Sequence, residues 1–165
     1  GLQGVGAFSA EVPSFPNGCH IAEVEIDTDT GEVRIDHYNV VDDIGTVINP
    51  LLAKAQIHGG VVQGVGQALL EDLTYDRESG QLLAGSFMDY GMPRADLMPE
   101  IKVDFSPVRS KSNPLGAKGV GEGGTVAGTP TIVNAILDAL APLGVQKIDT
   151  PVTPQRVWNA INDAA

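Results

Sequence analysis

The sequence has 165 residues, with 21 Asp and Glu against 10 Lys and Arg, a formal net charge of -11 and a pI near 4.4. That length suits one domain, 1–165, or one lobe of a larger one, and the acidic balance speaks against nucleic acid or an anionic membrane as partner. A single cysteine, Cys19, excludes an internal disulfide framework and a cysteine-based zinc or iron–sulfur site, no apolar run approaches the ~20 residues of a membrane helix, and no signal peptide is visible, so the cytoplasm is the expected compartment.

Residues 1–19 mix Gly, Pro, Ser and Asn without periodicity and read as an arm or loop. The chain opens on Gly1 rather than Met, as an excised or processed piece of something longer would. His20 to Asp27 alternate apolar and acidic residues, the pattern of a half-buried strand. The turn Thr28 to Gly31 leads into a second strand, Glu32 to Val41, and so into a hairpin. A calcium loop beginning at Asp27 would need Glu at its twelfth position, where Tyr38 stands, so this is read as an ordinary acidic turn.

After a connector, Asn49-Pro50 is a strong helix start, because Asn caps and Pro fits the first turn. The helix is expected to run to about Leu70. At 100° per residue Gln56, Gly60, Gln63 and Gln67 share one stripe, with Val62, Val65 and Leu69 elsewhere. Gly59, Gly60, Gly64 and Gly66 each cost such a helix roughly 1 kcal/mol against Ala. Close approach of another backbone, or of a ligand, would offset that cost.

Glu71 to Leu83 reads as a second hairpin turning at Glu78 to Gly80, Ser86 to Pro99 as a loop, and Ile101 to Phe105 as another strand. Asn113 to Thr125 then sets five glycines around one carboxylate, Glu122, with Lys118 nearby, on a segment about to feed a helix. Glycines this dense let N–H groups approach a ligand that a Cβ would keep away. A carboxylate beside such a ligand is a candidate general base; a surface turn with a solvated Glu is the alternative. Neither common phosphate signature fits: Lys118 is followed by Gly119 and Val120 rather than Ser or Thr, and Ser106 to Asn113, leading into the loop, reads as turn rather than strand.

Thr129-Pro130 repeats the cap-then-proline signal, predicting a helix from there to Pro142. Lys147 to Asp149 is expected as a short strand. Thr153-Pro154 starts a terminal helix with Val157, Trp158 and Ile161 on its apolar side, Trp158 as a packing anchor. His20, His37 and His58 are isolated, so no metal ligand is expected in the chain itself, and no nucleophile elbow occurs. Cys19 is read as structural.

Asn49-Pro50, the run Gln56-Ile57-His58-Gly59-Gly60 through Glu71, Gly85 to Tyr90, and Asn113 to Glu122 closely resemble the C-terminal part of the molybdenum-binding large subunit of the xanthine dehydrogenase, aldehyde oxidase and carbon monoxide dehydrogenase family. The resemblance implies an oxidoreductase fragment that helps bind molybdopterin, in the cytosine dinucleotide form, and supplies Glu122 as the base in oxidative hydroxylation of an aldehyde or N-heterocycle, or in CO oxidation. It matches Gln56 to the glutamine that hydrogen-bonds molybdopterin, and Lys118, Gly119, Val120 and Gly121 to the backbone beside the metal. It places [2Fe-2S] clusters and FAD on partner domains or subunits, and makes the remainder of the large subunit and a small-molecule substrate the other partners. Half of the cofactor's contacts would lie upstream, so the isolated chain is expected to be inactive, to hold no cofactor, and to be open to self-association. A non-catalytic binding or assembly module is the alternative. The expected fold is an α+β lobe: an antiparallel or mixed sheet, a long glycine-rich helix and two further helices.

Overall fold

Two strands, β1 (Asn17–Ile26) and β2 (Val33–Asp43), form the hairpin that the alternation predicts. The turn between them needs glycine at Gly31, where φ is 75° and a Cβ would sit 2.1 Å from the carbonyl oxygen of Pro154. A third strand, β3 (Ile101–Phe105), pairs with the other edge of β2 in parallel, so the sheet is mixed, in the order β1-β2-β3. The computed structural model describes residues 1–164.

The register of the hairpin shifts once: Glu23 pairs with His37 and Val24 with Ile35, leaving Asp36 as an extra residue on β2. Such a bulge reverses which side chains face inward. Val33 and Ile35 are buried before it, Tyr38, Val40 and Asp42 after it. Strict alternation would have put His37, Asn39 and Val41 inside.

Both long helices lie near the sheet. The first, α1 (Pro50–Leu69), begins as predicted, with Asn49 Oδ1 accepting from the Leu52 amide at 3.1 Å. The second, α2 (Gly123–Leu140), departs from expectation by starting six residues before Thr129, with Pro130 inside it. Pro130 and Val126 both face solvent, so the carbonyl that the missing N–H leaves free has water available. Thr129 does not cap; its hydroxyl donates across to the Gly64 carbonyl at 3.0 Å.

This longer helix, with the turn Ala141–Leu143 that follows, has the length and mean hydropathy (1.3) of a membrane span, which the sequence reading did not find. Its Ile132, Ile136 and Leu140 are instead sealed into one core with Ile57, Val61 and Val65 of α1 and Tyr38, Val40 and Val103 of the sheet.

The two helices cross on their glycines. A Cβ on Gly60 would lie 2.9 Å from Gly124 Cα, one on Gly64 2.8 Å from Gly128 Cα, and one on Gly124 2.4 Å from the Ile57 carbonyl oxygen. At these three points the occupant that offsets the cost of glycine in α1 and α2 is a backbone.

Three smaller expectations are corrected. Lys147 to Asp149 forms no strand; Ile148 packs on the core without pairing. The hairpin at 71–83 is short: its arms pair only at the Tyr75–Leu82 bridge and through the Asp76 and Leu83 amides, which donate to Gln81 and Thr74 at 2.8 Å, around a turn that Asp76 closes by accepting the Ser79 amide at 2.7 Å. In the last helix, α3 (Pro154–Ala164), Val157 is fully buried but Trp158 is 42% exposed, so the anchor is the valine.

Candidate functional site

The glycine loop is fixed at both ends and open between. At its first end it lies along the exit of β2: Ala117 bridges to Gly45, the Lys118 amide donates to Ile44 at 2.8 Å, and the Thr46 amide donates to Gly116 at 2.9 Å. Asp43 holds the same junction. Its Oδ1 accepts from the amides of Gly45 (2.8 Å) and Val108 (2.9 Å), and its Oδ2 accepts from Lys118 Nζ. Burial works to raise this carboxyl's pKa, but Lys118 and the two amides outweigh it and hold the group below the usual carboxylate range.

At the other end Gln56 Nε2 donates to the Gly121 carbonyl at 2.8 Å. Further along the stripe, Gln63 Oε1 accepts the Thr125 hydroxyl at 3.2 Å, and Gln67 Oε1, also 3.2 Å away, shares the one Thr129 hydroxyl proton with the Gly64 carbonyl. The glutamines therefore lie along the seam of the helix pair, and Gln56, at its mouth, is the one that reaches the loop.

Between these anchors, a Cβ at Gly121 would meet nothing within 4 Å, and one at Gly119 nothing nearer than 3.7 Å. The amides of Gly119, Val120, Gly121 and Glu122 donate to no acceptor among the described residues. Four consecutive free N–H groups running into the start of a helix form an edge suited to a polar or anionic ligand. Glu122 is the residue at the cap of α2, exposed, with no side-chain capping bond. The structure thus gathers Gln56, Lys118, Gly119, Val120, Gly121 and Glu122 in one place. Within that group Lys118 differs from the others, since its ammonium is committed to Asp43.

Beside Glu122 is a cavity of about 650 Å³, walled by Phe15 and Gly18 of the arm and strand, by Gly121, by His20, which the sequence alone marks as isolated, and by Asp42, to which it gives no role. His20 is not isolated. Its Nδ1 lies 3.0 Å from the Tyr38 hydroxyl, and its Nε2 lies 3.3 Å from Asp42 Oδ1, out of line for a hydrogen bond. Burial pushes the Tyr38 phenol up to about 12, Thr131 pulling it back and Asp42 adding to the rise, so it stays protonated. Asp42 Oδ2 is buried without a partner among the described residues, near the start of α2 at 3.6 Å from the Cβ position of Gly123. The bulge at Asp36 makes this cluster, by turning Asp42 inward opposite Gly18. Cys19, between Gly18 and His20, points the other way and is exposed, which corrects its reading as a structural residue.

Among the described residues no three His, Cys, Asp or Glu side chains converge as a metal site would require. What the site offers is main-chain donors, one amide side chain, one free carboxylate and an orphaned buried oxygen. That set fits an extended polar ligand, as the molybdopterin that the resemblance implies would be.

Fold and loop together define a lobe with one glycine-rich edge of unpaired main-chain donors. Residues 2–99 match the molybdopterin cofactor-binding domain family, and the chain belongs to it, in the form shared by the large subunits of carbon monoxide dehydrogenases, xanthine dehydrogenases and aldehyde oxidoreductases. The chain is 39% identical over 160 residues to the nicotine 6-hydroxylase large subunit of Paenarthrobacter nicotinovorans, covering 97% of this chain and 20% of that protein. It is 36% identical over 163 residues to the carbon monoxide dehydrogenase large chain of Hydrogenophaga pseudoflava, covering 99% and 20%. Among solved structures, quinoline 2-oxidoreductase from Pseudomonas putida 86 superposes with a TM-score of 0.86 at 39% identity, over 90% of this chain and 19% of that one. The chain spans about 20% of the length of these curated relatives.

Proposed function

We propose that the chain is the part of a molybdenum hydroxylase large subunit that supplies Gln56, the main chain from Lys118 to Gly121 and the base Glu122 to a molybdopterin cofactor, in its cytosine dinucleotide form. The observation that carries this reading is the row of four free amides, Gly119 to Glu122, held open between the Gln56 anchor and the start of α2. When bound, the cofactor supplies the redox chemistry. The chain's own residues bind and orient. The free amides would donate to the cofactor's acceptors, and Gln56, one of whose two N–H donors goes to Gly121, keeps the other and its carbonyl oxygen available. Glu122, exposed at the mouth of the cavity, takes and holds the proton released as oxygen is added to the substrate.

A nitrogen heterocycle is the best-supported substrate class, because two relatives at 39% identity are named for nicotine and quinoline chemistry; an aldehyde or CO is the alternative within the same site. Electrons leave through iron–sulfur and FAD subunits or domains, in the cytoplasm. The exposed Leu51, Leu52, Val126, Phe87 and Met88 are surfaces for the remainder of the large subunit to cover. Without that remainder the chain contributes only part of the site and is inactive.

The test is Glu122→Gln in the assembled enzyme, with turnover expressed per molybdenum. Turnover should fall by at least ~10²-fold with molybdenum content retained. Near-normal turnover would remove Glu122 from the mechanism.

A further inference from the structure

Neither the resemblance nor the reading above gives Asp43 a role. Its carboxylate is nevertheless the point where three segments meet: the exit of β2 through the Gly45 amide, the segment after β3 through the Val108 amide, and the glycine loop through Lys118 Nζ. Both partners are sheltered, the Lys118 side chain being 13% exposed and that of Asp43 10%. A glycine-rich run cannot hold its own shape, since glycine restricts the backbone least of all residues. The open run must therefore be held from its ends. Gln56 holds one end at Gly121, and only Gly119 and Val120 lie between that point and Lys118. A displacement at Lys118 has almost no chain in which to dissipate before it reaches Glu122.

We infer that Asp43 is a positioning residue for the cofactor edge. It acts through Lys118, whose ammonium is a tether into the protein and does not touch the cofactor. The neighbouring Asp42, facing the cavity, has a different task. This inference rests on the molybdopterin reading, which the Glu122→Gln experiment tests separately: that variant can lose turnover whether or not Asp43 matters.

The experiment uses the full-length large subunit assembled with its partner subunits, in the variants Asp43→Asn, Lys118→Met, Lys118→Arg and the double variant Asp43→Asn/Lys118→Met. Molybdenum per subunit is measured by elemental analysis, beside the melting temperature and kcat and KM per molybdenum. Asp43→Asn and Lys118→Met should each lower molybdenum content or kcat per molybdenum roughly 10-fold, the usual scale for removing a residue that orients a cofactor's contacts, with KM little changed. The double variant should be no worse than either single one, because the two residues act as a unit. Lys118→Arg, which still offers the carboxylate a charged donor, should recover most of the loss.

Loss of molybdenum in Lys118→Met with wild-type content and kcat in Asp43→Asn would overturn the inference, since Lys118 would then act on the cofactor directly. So would a lowered melting temperature with unchanged content and kcat in both single variants, which is the signature of a merely structural pair. Should Asp43→Asn fail to fold, the decision passes to Lys118: failure of Lys118→Arg to recover what Lys118→Met loses contradicts a tether.

Discussion

Glycine serves two opposite ends within a short stretch of this molecule. Where α1 crosses α2, the Cβ positions of Gly60, Gly64 and Gly124 are already filled by main-chain atoms at 2.9 Å or less. In the loop that leads into α2, the Cβ position of Gly121 is empty to 4 Å and its amide is unpaired. The same residue type is thus used once to let two backbones touch and once to leave a backbone bare. The difference is not in the glycines. It lies in what surrounds them: a dry core of Ile57, Val61 and Ile132 in the first case, an exposed edge in the second.

The largest effect on stability should come from breaking the filled crossing. Gly124→Val would place a Cβ 2.4 Å from the Ile57 carbonyl oxygen and 2.8 Å from the Val61 nitrogen, neither of which can move without shifting a helix, with two methyl groups still to be housed. Overpacking of this kind costs about 1–3 kcal/mol and more where backbone must give way, so chemical denaturation should show a loss at or above the top of that range. A loss under about 1 kcal/mol would mean that the helices separate easily and the crossing is not close-packed.

A smaller effect, of opposite sign, sharpens the contrast from within the same helix. Gly59 is the neighbour of Gly60 in α1, but a Cβ there would meet nothing within 4 Å. Gly59→Ala should stabilise the chain by roughly 0.5–1 kcal/mol through helix propensity and a restricted unfolded state. Destabilisation measured by the same denaturation would show that the packing around α1 is tighter than this account holds.

How much of this was legible beforehand depends on whether the cause was local. The start of α1 was readable because Asn49 caps through its own side chain and Pro50 sets its own φ. The glutamine and glycine stripe was readable too, since helical geometry fixes which residues share a face. The start of α2 was not: Glu122 makes no capping bond, while Pro130, which looks like a first-turn proline, sits where its missing amide faces water. What holds the turns ahead of Pro130 is the distant backbone of α1.

The pairing of His20 with Asp42 was hidden for a comparable reason. It depends on a one-residue slip at Asp36, and no local feature of that stretch distinguishes a bulge from plain alternation. Asp43 was read as part of a connector, whereas the strand continues through it and hands its carboxylate to the loop. The residues that present Glu122 were therefore visible as types, through the resemblance, and the residues that hold them in place were not.

Gly121→Val in the assembled large subunit decides whether the loop's glycines are bare for the sake of a ligand or for the fold. Molybdenum per subunit is measured alongside the melting temperature. The expected result is a melting temperature within about 2 °C of the parent, as for a substitution into open space, together with a fall in molybdenum content of roughly 10-fold. Full molybdenum content with valine at that position would contradict a ligand-facing role for the bare main chain.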